Sequence, residues 1–185
     1  MANIELHPFS QNDFKELISW VRSPEELFIW SATTFTFPLD EKQLERHFQE
    51  AQTSKLRLMY TAVDRESKEH IGHIELTRID RENKKVSIAY VLVDPAKRGR
   101  GYGDALIQSI LNECFEHMKM LKVDLFVFEF NPVAIHCYQK TGFEMEEVIG
   151  DRIKLKDNFA TLYLMGLSYE KWKAFKSQGD HNKPG

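Results

Sequence analysis

The chain has 185 residues and a formal net charge of −3 at pH 7, and 42% of its residues are hydrophobic against 29% charged. This length and composition suit one globular domain with a full core. The slightly acidic balance excludes a broad basic field for nucleic acid or for an anionic membrane. Two cysteines, Cys114 and Cys137, do not make a disulfide framework, and no Cys/His cluster has the spacing of a metal site.

The sequence carries no targeting or membrane signal. Residues 1–8 lack both the charged region and the apolar core of a signal peptide. No apolar run approaches the roughly 18 residues that a membrane span requires. We therefore expect a cytoplasmic protein.

The first fifty residues predict a short strand followed by three helices. The strand covers Ile4–Phe9, and Ser10 or Asn12 can cap the first helix. The stretch Ser23–Glu26 indicates a second helix start, with proline at the first position and acids in the first turn. Asp40 begins the third helix. Five aromatic residues crowd into this segment: Trp20, Phe28, Trp30, Phe35 and Phe37.

A meander of three strands is predicted next. The strands cover Leu56–Asp64, Ile71–Asp80 and Val86–Val93, and polar turns join them. Period-two alternation places His73 and Glu75 on the same face of the second of these strands.

The loop after the third of these strands is the most informative feature of the chain. It spans residues 94–103, and an amphipathic helix begins at Asp104. A glycine-rich loop that opens a helix points several backbone N–H groups at one spot, where the helix dipole favours negative charge. The loop is therefore predicted to hold a phosphate. Its glycines are Gly99, Gly101 and Gly103, and its cations are Lys97, Arg98 and Arg100.

Two common phosphate motifs do not fit this loop. A dinucleotide fingerprint requires a third glycine where Asp104 stands, and a Walker loop requires Gly-Lys-Ser/Thr where the chain reads Gly103-Asp104-Ala105. The remaining pattern, Arg98-x-x-Gly101-x-Gly103, resembles the Arg/Gln-x-x-Gly-x-Gly/Ala pyrophosphate loop of the GNAT-type N-acetyltransferases, which use acetyl-CoA. A plain strand-to-helix turn is the other interpretation of so short a pattern.

A second signature of the same family lies downstream, after a predicted strand at Lys122–Phe130. The two signatures stand in the right order and are specific together. The resemblance covers residues 56–167 well and the first fifty loosely, and it is most similar to the branch with ribosomal-protein N-terminal and small-amine acetyltransferases. The second pattern, Asn-x-x-Ala-x-x-x-Tyr-x-x-x-Gly-Phe, is matched at Asn131, Ala134, Tyr138, Gly142 and Phe143.

The predicted fold class is α/β (α+β). The resemblance implies a central mixed, mostly antiparallel sheet with helices around it, whose parallel pair, 86–93 and 122–130, splays apart at the cofactor site. A short helix at residues 132–141 precedes a closing antiparallel pair, Met145–Ile149 and Asn158–Leu167. We expect a single acetyltransferase domain over residues 1–176 and, because they are polar and aperiodic, a disordered tail over residues 177–185.

The resemblance also implies where the co-substrate acetyl-CoA binds. Residues 91–93 would pair their backbone with the pantetheine arm, and a backbone N–H near Val93 would polarise the thioester oxygen. An ordinary buried strand is compatible with the same residues. Asn131 resembles the asparagine that hydrogen-bonds the pantetheine, although an asparagine before a proline is equally a helix cap. The implied binding residues are Val91, Leu92, Val93, Arg98, Gly99, Arg100, Gly101, Tyr102, Gly103, Asp104 and Asn131.

Tyr138 is the candidate general acid, because a phenol is a suitable proton source for a departing thiolate. Core packing of its ring is the alternative. Cys137 beside it raises a covalent acetyl-cysteine route, but neighbours on a helix do not point the same way, and direct attack by the amine is preferred.

The general base departs from the better-known family patterns. Many relatives carry a glutamate at positions that correspond here to Ser87 and Phe126. Glu75 is therefore the candidate base, acting directly or through water, with His73 second. A water chain, or an amine that arrives neutral, is the alternative.

The acceptor is predicted to be a primary amine, bound beside Trp30 and Phe35, although core packing explains these aromatics equally well. A small molecule is favoured, because no acidic or basic run suggests a peptide groove. A protein N-terminus is the alternative acceptor, and a non-catalytic acyl-CoA sensor is the alternative class. No metal is expected, and a homodimer is left open.

Overall fold

A computed structural model describes residues 2–154 and 159–180, and one sheet organises this part of the chain. The strands are β1 (Ile4–Pro8), β2 (Leu58–Asp64), β3 (His70–Asp80), β4 (Lys85–Val93), β5 (Lys122–Phe128), β6 (Glu144–Lys154) and β7 (Phe159–Ser168). Their order is β1-β2-β3-β4-β5-β7-β6. Neighbouring strands are antiparallel except β4 and β5, which are parallel. The predicted mixed, mostly antiparallel sheet is confirmed.

Helices lie on both faces of the sheet. The predicted N-terminal caps at Ser23 and Asp40 are present, since these side chains accept hydrogen bonds from the N–H groups of Glu26 at 3.1 Å and Gln43 at 2.9 Å. The described helices are α1 (Phe14–Trp20), α2 (Pro24–Ser31), α3 (Glu41–Thr53), α4 (Tyr102–Asn112), α5 (Pro132–Lys140) and α6 (Tyr169–Asp180). Short 3-10 turns precede α1 and α4 at Gln11–Asp13 and Pro95–Lys97, and a π-helical turn, Glu113–His117, continues α4.

Two apolar cores cover the two faces. On one face α4 buries its stripe against β3, β4 and β5, and burial of each such aliphatic side chain contributes about 1.5–3 kcal/mol. The buried members include Ile74, Leu76, Ile88, Leu106, Ile107, Ile110, Leu111 and Leu125. The opposite face carries the N-terminal helices, whose buried side chains include Phe14, Leu17, Trp20, Leu27, Trp30 and Leu44.

Helix α6 is absent from the sequence-based prediction. It covers residues 177–180 of the segment expected to be a disordered tail, and Trp172 anchors it by packing against Phe115 with ring centroids 5.0 Å apart. Residues 181–185, and residue 158 at the expected start of the last strand, lie outside the described residues. None of the described helices has the length and apolar character needed to cross a membrane.

The parallel pair separates as expected. Strands β4 and β5 are paired from Lys85 with Lys122 to Ile88 with Leu125, and both strands continue beyond this point without pairing with each other. A β-bulge in β4 causes the separation, because two residues, Tyr90 and Val91, oppose one residue of β3. Tyr90 adopts a positive φ of 51°. Such a bulge bends its strand, so β4 turns away from β5 and opens a gap.

Candidate active site

A cavity of about 1090 Å³ occupies the gap between β4 and β5. Its walls are residues 87–93 of β4 and 126–128 of β5, with contributions from α2, the loop at residues 98–103 and α5. The volume is that of a pocket for a cofactor-sized ligand. The cavity therefore lies in the middle of the sheet, between two of its central strands.

The glycine-rich loop forms one end of this cavity. Gly99 and Gly101 adopt φ angles of 76° and 81°, where a side chain is strained. Nothing lies within 4 Å of the position that a Cβ would take at either glycine. Gly101 caps α4, and its carbonyl accepts a hydrogen bond from the Ala105 N–H at 3.1 Å. An open loop at the N-terminus of a three-turn helix is suited to bind an anion.

The cations and the aromatic of the loop point in different directions. Arg98 lines the cavity, and its Nη1 lies 3.8 Å from Glu26 Oε1. Lys97 instead binds Glu69 Oε2 at 3.0 Å, outside the cavity lining. The side chains of Arg100 and Tyr102 line a separate, smaller recess, where the Tyr102 hydroxyl donates to Asp64. Neither Arg100 nor Tyr102 is part of the lining of the main cavity.

The predicted pantetheine segment faces the gap. Val91, Leu92 and Val93 line the cavity, and β5 no longer occupies their outer edge. Asn131 also lines it, and its Oδ1 accepts a hydrogen bond from the Ala134 N–H at 3.3 Å. Asn131 thus caps α5 and also faces the cavity; its hydrogen bond to pantetheine stays a prediction.

Tyr138 lies on α5 between the cavity and the core. Its side chain is 7% exposed and packs edge-on against Phe143, with ring centroids 5.9 Å apart. The residue also lines the cavity. Burial raises the pKa of the Tyr138 phenol, which keeps the group protonated at neutral pH.

The neighbouring thiol is held as a neutral group. Cys137 Sγ lies 3.3 Å from Asp104 Oδ1, and Lys140 pairs with the other oxygen of the same carboxylate. Burial, followed by the adjacent Asp104, raises the pKa of Cys137 to about 12. A protonated thiol is a poor nucleophile, so this arrangement disfavours an acetyl-cysteine.

Glu75 does not face the cavity, contrary to the expectation for a direct base. Its side chain is 1% exposed, and Oε1 accepts hydrogen bonds from His47 at 2.8 Å and His73 at 3.1 Å. Strand β3 places both Glu75 and His73 on the predicted common face, but α3 covers that face with His47. A proton from an amine in the cavity cannot reach this carboxylate by direct contact.

The two predicted acceptor residues occupy different layers. Trp30 lines the cavity, whereas Phe35 is absent from its lining and is buried behind Trp30, with which it stacks at 5.5 Å between ring centroids. Phe35 also packs against the ring of His47 at 5.0 Å. Phe35 therefore supports the wall and does not form it.

Several side chains on the cavity wall were not singled out from the sequence, including a tyrosine and two arginines. Tyr90, Arg57 and Arg78 line the cavity on the side away from α4. The Tyr90 hydroxyl lies 3.0 Å from Thr34 Oγ1, and its ring packs against His47 at 4.9 Å. Burial raises the pKa of Tyr90. Tyr90 and Arg78 belong to β-bulges, whose positions the sequence pattern does not reveal.

Comparison with known proteins identifies acetyltransferases that are similar to this chain in sequence. The spermidine N(1)-acetyltransferase of Vibrio cholerae is 30% identical over 84 residues, which are 45% of this chain and 48% of that protein. The L-amino acid N-acetyltransferase AaaT of Escherichia coli is 30% identical over 77 residues, 41% of this chain and 48% of that protein. These alignments span about half the length of the curated relatives. The branch expected from the sequence contains ribosomal-protein N-terminal and small-amine acetyltransferases, and neither of these two relatives is a ribosomal-protein acetyltransferase.

A solved structure extends the likeness over nearly the whole fold. The structure of spermidine N-acetyltransferase from Vibrio cholerae in complex with CoA and spermine aligns with a TM-score of 0.81 at 20% identity, and the alignment covers 92% of this chain and 98% of that one. Residues 19–143 match the acetyltransferase (GNAT) family, including the glycine-rich loop and the whole second signature. On this match, which covers most of the chain, the protein belongs to the GNAT acetyltransferase family.

Proposed function

We propose that the protein is an acetyl-CoA-dependent N-acetyltransferase that acts on a small primary amine. The observation that carries this proposal is the continuous cavity that joins the anion-binding loop at Gly101 to Tyr138 through the gap between β4 and β5. A slot of this kind accommodates an extended thioester with its phosphates at one end and its reactive group inside the sheet. Each wall of this cavity has a role in binding or in the reaction.

The pyrophosphate of acetyl-CoA binds the backbone N–H groups of residues 98–104, at the positive end of α4. The pantetheine arm lies along residues 91–93, whose outer edge is no longer paired with β5. A backbone N–H of this segment donates to the thioester oxygen, where negative charge develops during attack.

The chemical step is direct transfer in a ternary complex. The neutral amine nitrogen attacks the carbonyl carbon, the C–S bond breaks, and Tyr138 gives its proton to the departing sulfur. The proton that the nitrogen loses on becoming an amide returns to the Tyr138 oxygen through water in the cavity, which completes the cycle. The burial that raises the pKa of Tyr138 also raises the pKa of an unsolvated thiol, so the two groups shift in the same direction and stay matched for proton transfer. The protonated thiol of Cys137 takes no part.

The base is not Glu75 in direct contact. Because its carboxylate is buried under α3 and held by His47 and His73, the amine enters neutral or loses its proton to water in the open cavity. In this proposal Glu75 has a positioning role, because it contacts Arg57, which lines the cavity. His73, the second candidate, is 1% exposed and also lies outside the cavity lining.

A small acceptor is favoured because the reactive end of the cavity lies among Trp30, Tyr90 and Phe126 under the N-terminal helices. The names of the two curated relatives specify polyamine and amino-acid acceptors, which are small amines. A protein N-terminus is the alternative acceptor. The homodimer stays a prediction, which a mass measurement of the protein in solution checks.

The test is release of free CoA thiol from acetyl-CoA with a panel of small amines and of peptides with free N-termini. The proposal predicts amine-dependent release and a mass-identified N-acetyl product with at least one small amine. Transfer to peptides alone contradicts the small acceptor. Tight binding of acetyl-CoA without transfer to any amine identifies a sensor and contradicts the enzyme.

A further inference from the structure

Two arginines lie at the end of the cavity farthest from the glycine-rich loop. Arg57, just before β2, and Arg78, in β3, both line it. Pairing of Leu58 with Leu76 places Arg57 beside Thr77, next to Arg78. Arg78 contacts Ser87 of β4. From Ser87 to Val93, the last residue of β4 before the loop, the strand rises six residues, which is about 20 Å at about 3.3 Å per residue. These arginines are therefore too far from the loop to bind the same pyrophosphate.

Arg78 is held in one orientation. A second bulge in β3, between the pairs at Thr77 and Asp80, gives Arg78 a φ of 50°, and bulges re-aim the side chains they carry. Nε donates to Ser87 Oγ at 3.0 Å, Nη2 donates to Asp124 Oδ1 at 3.2 Å, and the guanidinium lies 4.7 Å from the centre of the Phe126 ring. Within residues 2–154 and 159–180, no hydrogen bond uses Nη1, while the side chain is half-exposed.

Arg57 is anchored from behind. Its Nη1 lies 3.1 Å from His47 Nδ1, and its Nε lies 3.9 Å from Glu75 Oε2. The same guanidinium lies 5.9 Å from the centre of the Tyr90 ring. The buried carboxylate thus holds a cation at the cavity wall.

The carboxylates of the described cavity lining are at the other end. Glu26 and Asp104 line the cavity, and each is paired with a cation of that end, Arg98 and Lys140 respectively. Near the arginines, Asp124 already accepts hydrogen bonds from Ser87 at 2.5 Å and from Arg78. A polycationic acceptor would therefore meet two guanidinium groups without a lining carboxylate from the described part of the chain.

We propose that the amine acceptor also carries an oxyanion, of which a carboxylate as in an amino acid is the favoured form, and that Arg78 and Arg57 bind it. This inference rests on the proposed transferase activity. Planar guanidinium groups match carboxylates and phosphates by paired N–H donors, which a lysine does not reproduce. Arg78 binds the oxyanion through Nη1, and Arg57 adds a second positive charge and further N–H donors.

The test compares acceptors that differ by one anionic group. The pairs are L-phenylalanine with phenethylamine, L-ornithine with putrescine, and phosphoethanolamine with ethanolamine, and spermidine is a further acceptor. We expect higher kcat/KM for the carboxylate member of at least one pair, and low activity with spermidine. Preference for the phosphate pair alone keeps the oxyanion and overturns the carboxylate. Preference for the decarboxylated amines or spermidine overturns the inference and leaves the transferase intact.

Variants assign the preference to the arginines. In Arg78→Gln, the ratio of kcat/KM for the acid over its decarboxylated partner falls about 10- to 100-fold, the range of a charge-assisted hydrogen bond. Arg57→Lys keeps the buried charge balance and lowers the ratio less. The matched control is Arg81→Gln, which removes the same charge from an exposed turn outside the cavity lining. An unchanged ratio in Arg78→Gln overturns the assignment.

Binding separates this inference from the activity. Titration of the same amino acid into the CoA-loaded protein needs no turnover. Heat of binding that Arg78→Gln abolishes supports the oxyanion site even if no transfer occurs, in which case the proposed activity alone fails. Absence of binding by every oxyanion tested, with transfer to neutral amines present, overturns the oxyanion site alone.

Discussion

His47 Nε2 lies 2.8 Å from Glu75 Oε1, and both side chains are almost entirely excluded from solvent, at 4% and 1% exposure. His47 belongs to α3 and Glu75 to β3, so this hydrogen bond joins the N-terminal helical layer to the sheet. Arg57 and the ring of Tyr90 lie against the same pair and also line the cavity. The position of the acceptor wall therefore depends on a carboxylate that the cavity does not contact.

Glu75→Gln is predicted to destabilise the fold. The amide oxygen of glutamine can still accept from both histidines, but these hydrogen bonds lose their charge assistance and an NH2 group replaces Oε2 beside Arg57; weakening of such buried polar contacts costs about 1–3 kcal/mol. Urea unfolding at pH 7 measures this loss, and Glu66→Gln, in an exposed turn, is the control. The residual activity should still rise with pH, because the attacking amine must be neutral. Loss of that rise with stability intact would restore Glu75 as the base.

The same variant changes the dependence of stability on pH. Burial alone would raise the pKa of Glu75, but the hydrogen bonds from His47 and His73 outweigh it and hold the pKa below its ordinary value. The ionised carboxylate therefore stabilises the fold above the ordinary glutamate pKa of about 4.3, and this contribution is lost as the pH falls through the folded-state pKa. We expect a shallower acid decline of the unfolding free energy in Glu75→Gln than in the wild type.

Gly101→Asp is predicted to abolish binding of acetyl-CoA. The position has a φ of 81° and forms the cap of α4, so a carboxylate there places negative charge against the expected pyrophosphate. Gly101→Asn is the matched control, because asparagine tolerates the left-handed conformation and adds no charge. Calorimetric titration should give a much larger loss for aspartate. Equal affinities in the two variants would argue against a phosphate at this loop.

Tyr138→Phe is predicted to lower kcat about 10²- to 10⁴-fold, the contribution of a positioned general acid, with little change in the affinity for acetyl-CoA. The ring still packs against Phe143, so the fold is retained. Steady-state kinetics and a binding titration separate the two effects, and Tyr163→Phe, outside the cavity lining, is the control. A variant with wild-type kcat would leave Tyr138 with a packing role.

Cys137→Ala is predicted to keep most of the activity. The thiol has a pKa raised to about 12 by burial and by Asp104, so it is protonated across the working pH range. Intact-mass spectrometry of the wild type mixed with acetyl-CoA, without acceptor, should show no acetylated protein. An acetylated species that is absent from the variant and turns over with amine would establish the covalent route.

The part of the site that local chain geometry builds could be predicted from the sequence. Gly99 and Gly101 open the helix as their spacing indicates. Asn131, the N-cap of α5, and Tyr138, two turns later on the same helix, both line the cavity. Such features depend on residues close in sequence. The parallel pair followed from the helix between its strands.

The features that depend on register and on covering layers could not be predicted. Alternation put Glu75 and His73 on one face, but it does not say that α3 covers that face. Tyr90 and Arg78 reach the cavity because bulges shift the register beside them, and no local signal in the sequence marks these bulges. Phe35 and Trp30 are both aromatic and lie in the same segment of the sequence. Only their packing in the folded protein decides that Trp30 lines the cavity and that Phe35 lies behind it.

The central claim is that acetyl-CoA threads the gap between β4 and β5, and the structure of the protein with bound CoA tests it most directly. The measured quantity is the distance from the CoA sulfur to the Tyr138 hydroxyl. We predict a separation within hydrogen-bond reach, about 3–3.5 Å, with the pyrophosphate on the N–H groups of residues 98–104. A sulfur remote from Tyr138, or phosphates bound away from Gly101, would contradict the account.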